Sequence, residues 1–245
     1  MHRQDEVAQF TSMHSNTIYI DLFIWYNLCE SNDGGNTMRV IRSDADAGFP
    51  FISYIPESIS EHPALIVQLH GAGERGNGDA DLDKVLVHGF SHIVTDDNLK
   101  DCILVMPQCP SDSFWVAKIE SLKAFIDRII RLYNIDTRRI YLCGLSMGGF
   151  GTWYTAMAYP ELFAAIAPCC GGGMAWNASV LKMPIWTFHG KEDTIVSPNQ
   201  TLEMVEKLKE INPNFKYTLY DGVGHNSWTR AFSDELLKWL LSQQK

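Results

Sequence analysis

Short apolar runs alternate with longer amphipathic segments along the chain from Arg39 onward, and this alternation limits the fold more than any other feature. Near-continuous apolar runs are typical of strands that are buried on both faces of a parallel sheet. Such runs lie at 64–69, 102–106, 139–143, 164–167 and 184–188. The run at 215–220 alternates in polarity, which predicts a strand at the edge of the sheet.

Amphipathic segments between these runs predict helices. Segment 119–133 carries apolar residues at three- and four-residue steps, segment 199–211 repeats the pattern, and 236–240 marks a third stripe near the C-terminus. Strands separated by helices pair in parallel through right-handed crossovers, with helices on both faces. We therefore predict one α/β domain with a mostly parallel, doubly wound sheet. Only sixteen residues separate 164–167 from 184–188, so no large cap domain fits there.

Charge and cysteine content limit the partners of such a domain. The 245 residues carry a formal net charge of −9 without a Lys/Arg-rich run, which argues against nucleic acid and membrane surfaces as partners. The six cysteines form no C-x-x-C pair and match no zinc-site spacing, so we expect no metal site and reduced thiols in the cytoplasm. A single disulfide stays open as an alternative.

Reactive residues follow three of the predicted strands. The pentapeptide GLSMG, centred on Ser146, comes after run 139–143 and before a helical stretch, which is the context that the G-x-S-x-G motif requires. Asp193 and His225 come a few residues after the last two strands. Because the carboxyl ends of parallel strands share one edge, we expect the three side chains to meet there. Their chain order is that of a Ser–Asp–His triad.

The three side chains have complementary chemistry. A serine hydroxyl needs a positioned base, an imidazole can act as that base near neutral pH, and a carboxylate orients the imidazole. We therefore predict Ser146 as nucleophile, His225 as base and Asp193 as acid. Asp221 and Glu192 are rivals for the acid role, and chain order favours Asp193. The histidines expected to be structural or at the surface are His2, His14, His62, His88, His92 and His189.

The glycine-bearing loop at 70–76 follows the first apolar run and supplies a fourth element. Acyl transfer needs about two N–H donors at the place where the carbonyl oxygen becomes negative. One donor comes from the residue after the nucleophile, and the other comes from this loop. We therefore predict the backbone N–H groups of Met147 and Ala72 as the oxyanion hole.

With these motifs assembled, the chain resembles the α/β-hydrolase superfamily, and more narrowly the small serine esterases related to dienelactone hydrolases, feruloyl esterases and predicted peptidases. The segments that carry the resemblance are LHGAGERG at 69–76, GLSMGGFGTW at 144–153, PELF at 160–163, HGKEDTIV at 189–196 and GVGHNSW at 222–228. The resemblance covers residues 39–245 and implies the same triad, with no metal or organic cofactor. It also implies that Glu74 and Arg75 order the oxyanion loop rather than contact substrate. Serine at position 146 excludes the cysteine type of dienelactone hydrolase.

The segment before the resemblance begins has a different character. Run 18–29 is apolar but is interrupted by Asp21 and is too short to span a bilayer, and residues 1–10 lack the basic start of a secretion signal. A turn-rich linker follows at 31–36. We therefore expect residues 1–37 to be an N-terminal appendage, or upstream sequence read from a mis-set start codon, and residues 38–245 to be a cytoplasmic catalytic domain.

Several large side chains follow strand ends and are candidates to line a substrate pocket: Trp115, Met174, Trp176 and Trp228. Rings at such positions would stack on an aromatic acyl group or a sugar, whereas the alternative is that they only pack the core or its rim. We therefore predict cleavage of small carboxylic esters (short-chain, acetyl or cinnamoyl-type) through an acyl-enzyme intermediate. A serine peptidase is the first alternative, and a non-catalytic binding protein on the same scaffold is the second. The oligomeric state is left open.

Overall fold

The structure is a computed structural model, and it describes residues 38–43 and 48–245 together with the backbone of residues 27–28. The predicted appendage at 1–37 therefore lies outside the described residues, apart from that short backbone segment. The division between residues 1–37 and 38–245 stays a prediction.

The described residues form one nine-stranded sheet. Its strands are β1 Asn27–Leu28, β2 Arg39–Ser43, β3 Phe51–Ile55, β4 Ala64–Leu69, β5 Cys102–Pro107, β6 Ile140–Leu145, β7 Ala165–Cys169, β8 Ile185–Gly190 and β9 Phe215–Tyr220. The order across the sheet is β1-β2-β3-β5-β4-β6-β7-β8-β9. Strands β4 to β9 run parallel to one another, while β1, β2 and β3 add an antiparallel edge beside β5.

This topology confirms the predicted mostly parallel sheet, and among the described strands β9 pairs only with β8, as an edge strand should. The antiparallel strands β2 and β3 were missed. In β2 the sequence RVIRS buries only Ile41, so an apolar run is absent. Strand β3 is only five residues long, and besides the nearby β2 it pairs with β5, which is distant in the chain and which no local pattern reveals.

Six α-helices accompany the described sheet. They are α1 Asp96–Leu99, α2 Ile119–Leu132, α3 Met147–Ala158, α4 Asn199–Ile211, α5 Trp228–Ala231 and α6 Asp234–Leu241. Helix α2 forms because Leu122, Phe125, Ile126 and Ile129 recur on one face, and all four are buried. Ser233 caps α6, since its side chain accepts a hydrogen bond from the Leu236 N–H.

The helices cover both faces of the sheet because the side chains of each buried strand alternate between them. In β4, Leu65 and Val67 pack in the cluster that holds the apolar stripes of α2, α3 and α4. Ala64 and Ile66 point to the opposite face, where α1, α5 and α6 contribute their apolar residues. The two hydrophobic cores thus pack on opposite faces of the parallel strands and fix the positions of their carboxyl ends.

The connection between β7 and β8 decides how open that carboxyl edge is. This connection lies wholly within the described residues, and its only helical part is the 3₁₀ segment Ala175–Val180. It therefore has no room for a cap domain, as the sequence predicted. Ala72 and Gly73, in the loop that follows β4 at the same edge of the sheet, are exposed to solvent.

Candidate active site

Ser146 stands at a sharp turn between β6 and α3. Its backbone adopts φ +53° and ψ −117°, a strained conformation that a non-glycine residue rarely takes. The turn is possible because its flanking glycines lack side chains. A Cβ on Gly148 would lie 2.1 Å from the Leu69 carbonyl oxygen, and a Cβ on Gly144 would lie 2.3 Å from the Gly148 carbonyl oxygen. The G-x-S-x-G spacing is therefore a packing requirement.

The three side chains predicted as a triad lie within hydrogen-bonding distance of one another. Ser146 Oγ is 2.9 Å from His225 Nε2, and His225 Nδ1 is 2.7 Å from Asp193 Oδ2. The Asp193 side chain is fully buried, whereas 19% of the His225 side chain is exposed. A carboxylate can only accept, so Nδ1 carries the proton and Nε2 is left to accept from the serine hydroxyl.

Asp193 is held ionised by the groups around it. Burial alone raises the pKa of the carboxyl, but hydrogen bonds from His225 and from the backbone N–H groups of Val196 and Ile195 outweigh burial and hold the pKa below its usual value. Both N–H groups donate to Oδ1 at 2.9 Å. The same bonds fix the orientation of the carboxylate, so that Oδ2 faces the imidazole.

The two rival carboxylates point elsewhere. Asp221 is 84% exposed and forms an ion pair with Lys191 at 2.6 Å. Glu192 Oε2 accepts a hydrogen bond from the Val223 N–H at 2.9 Å, which braces the loop that carries His225. Among the three candidates, only Asp193 contacts the His225 ring in the structure.

His189 lies directly behind Asp193; the sequence analysis expected a structural role for it but not this contact. Its ring is fully buried, with Nε2 3.2 Å from Asp193 Oδ2 and Nδ1 2.7 Å from Thr201 Oγ1. Burial lowers the pKa of His189. Its position as the last but one residue of β8, four residues before Asp193, was the available signal.

The oxyanion loop packs against the nucleophile turn. A Cβ on Gly71 would lie 3.7 Å from the Ser146 Cβ. Ala72 and Met147 are each the first residue of a helical segment, and the first N–H groups of a helix have no acceptor within it. Arg75 orders the loop, because its Nε donates to the Ala72 carbonyl oxygen at 2.9 Å.

The four candidate substrate-lining residues have different surroundings. Trp228 is next to the triad, with its ring centre 5.2 Å from that of His225. Trp115 does not line a pocket: it is fully buried in the core and donates its indole N–H to the His70 carbonyl oxygen at 3.0 Å. Met174 packs against the core and Trp176 is 80% exposed, and no described contact joins either side chain to the triad.

An apolar cleft lies beside the nucleophile turn on the side of Met147. It has a volume of about 390 Å³ and is lined by Phe114, Val116, Met147, Phe150 and Tyr154. These residues come from α3 and from the loop after β5, which approach only in the folded chain. The cleft is large enough for a short acyl chain or one aromatic ring.

The described residues contain neither a candidate metal cluster nor a membrane-spanning helix. Within residues 38–43 and 48–245, no group of three or more His, Cys, Asp or Glu side chains could hold a metal ion. No described helix is long and apolar enough to cross a membrane. The five described cysteines are buried and free, and Cys29 lies outside the described residues.

Comparisons with known proteins show that the chain is similar to esterases. The chain is 28% identical over 186 residues to the bifunctional acetylxylan esterase/xylanase XynS20E of Neocallimastix patriciarum, an alignment that covers 71% of this chain and 26% of that protein. It is 31% identical over 156 residues to feruloyl esterase B of Neurospora crassa, covering 61% of this chain and 49% of the relative. The chain thus spans half or less of the length of these two relatives.

A solved structure of a thermostable esterase is similar over most of the fold. The TM-score is 0.69 at 30% sequence identity, and the match covers 91% of this chain and 63% of that one. The sequence profile of the phospholipase/carboxylesterase family matches residues 52–238, which include Ser146, Asp193 and His225. The chain belongs to the phospholipase/carboxylesterase family of α/β hydrolases.

Proposed function

We propose that this protein is a serine esterase that hydrolyses small carboxylic esters through an acyl-enzyme on Ser146. The observation that carries the proposal is the hydrogen-bonded chain from Ser146 Oγ through His225 to the buried Asp193, at 2.9 and 2.7 Å, placed on a strained turn at the carboxyl edge of the sheet. Membership of the carboxylesterase family supports the same chemistry.

The first half of the reaction forms the acyl-enzyme. Ser146 Oγ attacks the ester carbonyl carbon while its proton passes to His225 Nε2. The carbonyl oxygen becomes negative and accepts hydrogen bonds from the Met147 and Ala72 N–H groups. His225 then gives the proton to the departing alcohol oxygen, and the carbon–oxygen bond of the ester breaks. Asp193 stabilises the imidazolium that exists between these two transfers.

The second half releases the acid. Water takes the place of the alcohol, loses a proton to His225 Nε2 and attacks the acyl carbon. Collapse of the second tetrahedral intermediate returns the proton to Ser146 Oγ. The exposed edge of the His225 ring and the solvent-exposed Ala72 give water a route to this position.

The apolar cleft supports a preference on the acyl side. Because Met147 contributes both a backbone donor and a cleft-lining side chain, an acyl group whose oxygen lies in the oxyanion hole points into the cleft. Short alkyl acyl groups and single aromatic rings fit about 390 Å³. We therefore infer acetyl, short-chain or cinnamoyl-type acyl groups. Comparable rates on ethyl ferulate and ethyl butyrate would argue against aromatic selection.

The test is hydrolysis of p-nitrophenyl acetate and butyrate by the wild type and by Ser146→Ala. We expect kcat to fall by several orders of magnitude in Ser146→Ala, as removal of a triad nucleophile does in general. Ser242→Ala is the matched control, because Ser242 is an exposed serine at the end of α6. An inert wild type, or a Ser146→Ala variant with the wild-type rate, would contradict the proposal.

Two wider expectations stay proposals. We infer that residues 38–245 form the catalytic unit, and that the protein acts in the cytoplasm. Expression of residues 38–245 alone, followed by the same ester assay, tests the first. Fractionation of the source cells with an antibody against the protein tests the second.

A further inference from the structure

Three side chains, Glu74, His88 and Trp228, form successive contacts beside the triad, beginning at His225. The Trp228 ring meets the His225 ring edge-on, at 5.2 Å between centres and 89° between planes. The other side of Trp228 packs on His88, with ring centres 5.3 Å apart. His88 Nε2 lies 4.0 Å from Glu74 Oε1. We refer to Glu74, His88 and Trp228 as the histidine-side wall.

Two atoms of the histidine-side wall are buried without a hydrogen-bond partner among the described residues. They are Glu74 Oε2, an acceptor, and Trp228 Nε1, a donor. Only 12% of the Glu74 side chain is exposed. Native proteins leave few buried polar side-chain atoms unpaired, and such atoms are frequent where a ligand completes the bonding. The histidine-side wall thus contains one unpaired acceptor and one unpaired donor.

Glu74 Oε2 also lies close to Ser146. A Cβ placed on Gly71 would lie 3.0 Å from Glu74 Oε2 and 3.7 Å from the Ser146 Cβ. The carboxylate oxygen and the Ser146 Cβ are therefore no more than 6.7 Å apart. A substrate bound covalently to Ser146 Oγ comes within reach of this oxygen.

The direction of proton transfer decides which part of an ester meets the histidine-side wall. His225 Nε2 protonates the departing alcohol oxygen, so the alcohol portion leaves on the side of the imidazole. Trp228 packs on that imidazole, whereas the apolar cleft lies on the side of Met147. The alcohol portion therefore leaves on the side of His225 where Trp228 packs, whereas the apolar cleft borders Met147.

We propose that Glu74 and Trp228 form a subsite for the alcohol portion of the ester and select alcohols that carry a second hydroxyl group, such as polyols and sugars. This inference rests on the proposed esterase function, and it departs from the resemblance, which implies that Glu74 orders the oxyanion loop rather than contacts substrate. A hydroxyl is the group that satisfies both unpaired atoms, because it donates to the Glu74 carboxylate and accepts from the Trp228 N–H. An ammonium group would satisfy only the carboxylate, since it has no lone pair for the indole.

The test compares two esters of the same size, 2-hydroxyethyl acetate and n-propyl acetate, which differ only in a terminal hydroxyl against a methyl. The kcat/KM of each is divided by its rate of alkaline hydrolysis, which removes the difference in leaving-group reactivity. We expect the wild type to prefer 2-hydroxyethyl acetate by about tenfold or more, the size of a hydrogen bond to a charged group. Acetylcholine, tested in parallel, probes selection for a cation.

Variants assign the preference to the wall. Glu74→Gln keeps the shape of the side chain but removes its charge, and Trp228→Phe keeps a ring but removes the donor. We expect both variants to lower the ratio between the two esters, with Glu74→Gln bringing it close to one. Asp79→Asn is the matched control, because Asp79 is an exposed carboxylate in the segment that follows the same loop, and it should keep the wild-type ratio.

The outcomes separate this proposal from the esterase proposal. If the wild type hydrolyses p-nitrophenyl acetate but shows a ratio near one, or prefers acetylcholine, the subsite is wrong and the esterase function stands. A wild-type ratio that Glu74→Gln and Trp228→Phe both leave unchanged also overturns the subsite. If no ester is hydrolysed, both proposals fail. Should Glu74→Gln fail to fold, Trp228→Phe and the wild-type ratio still decide the matter.

Discussion

His70 anchors the oxyanion loop as a neutral ring, and acid should therefore destabilise the fold through it. Its Nε2 accepts a hydrogen bond from the Cys109 N–H at 2.9 Å, and its Nδ1 donates to the Gly71 carbonyl oxygen at 2.6 Å. Because a backbone N–H can only donate, Nε2 has no room for a proton. Burial accordingly lowers the pKa of His70 to about 4.

The size of the effect follows from linkage. The His70 ring binds a proton below about pH 6.5 in the unfolded chain but only below about pH 4 in the folded chain. The unfolded state therefore binds more protons between these two pH values, and the free energy of unfolding falls as pH decreases across that window. The shift corresponds to about 3 kcal/mol in total, of which about 2.5 kcal/mol is lost by pH 4.5. The total is a sizeable part of the 5–15 kcal/mol that holds a typical domain folded.

The assay is urea unfolding of the wild type and of His70→Gln at steps from pH 8 to pH 4.5. The glutamine side chain in this variant keeps an acceptor near the Nε2 position but does not titrate, so the difference between the two curves isolates the ring from all other ionising groups. We expect His70→Gln to be less stable at pH 8 and to approach the wild type by about 2.5 kcal/mol at pH 4.5. Parallel curves would refute the neutral buried ring.

Three more predictions concern the triad, the turn and the cleft. Asp193→Asn should lower kcat on p-nitrophenyl acetate by about 10⁴-fold, whereas Asp221→Asn, which alters only a surface ion pair, should leave it within about twofold. Gly148→Ala should cost about 3 kcal/mol or more in urea unfolding, because its Cβ would lie 2.1 Å from a carbonyl oxygen, while Gly73→Ala, whose Cβ meets open space, should be nearly neutral. Val116→Trp should fill the cleft and lower the hexanoate-to-acetate ratio of kcat/KM about tenfold, measured on p-nitrophenyl esters.

The parallel half of the sheet was predictable because each of its buried strands is a near-continuous apolar run. The positions of Ser146, Asp193 and His225 followed from the same regularity, since every parallel strand delivers its following loop to one edge. The antiparallel strands β2 and β3 carried no such signal, because β2 buries a single residue and β3 pairs on one side with β5, which is distant in the chain.

Side-chain surroundings were harder to predict than backbone placement. Trp115 and Trp228 both follow strand ends and have the same hydrophobicity, yet one is fully buried and the other borders the His225 ring. No local pattern separates them, because the difference comes from the residues that each ring contacts in the folded chain. The unpaired oxygen of Glu74 depends on the same three-dimensional packing and had no counterpart in the sequence pattern.

Labelling with a fluorophosphonate, followed by peptide mapping, tests the central claim most directly. We expect one adduct per chain, on Ser146, with labelling slowed by several orders of magnitude in His225→Ala because the hydroxyl then has no base. An adduct on another residue, or labelling of Ser146 at the same rate without His225, would contradict the proposed triad.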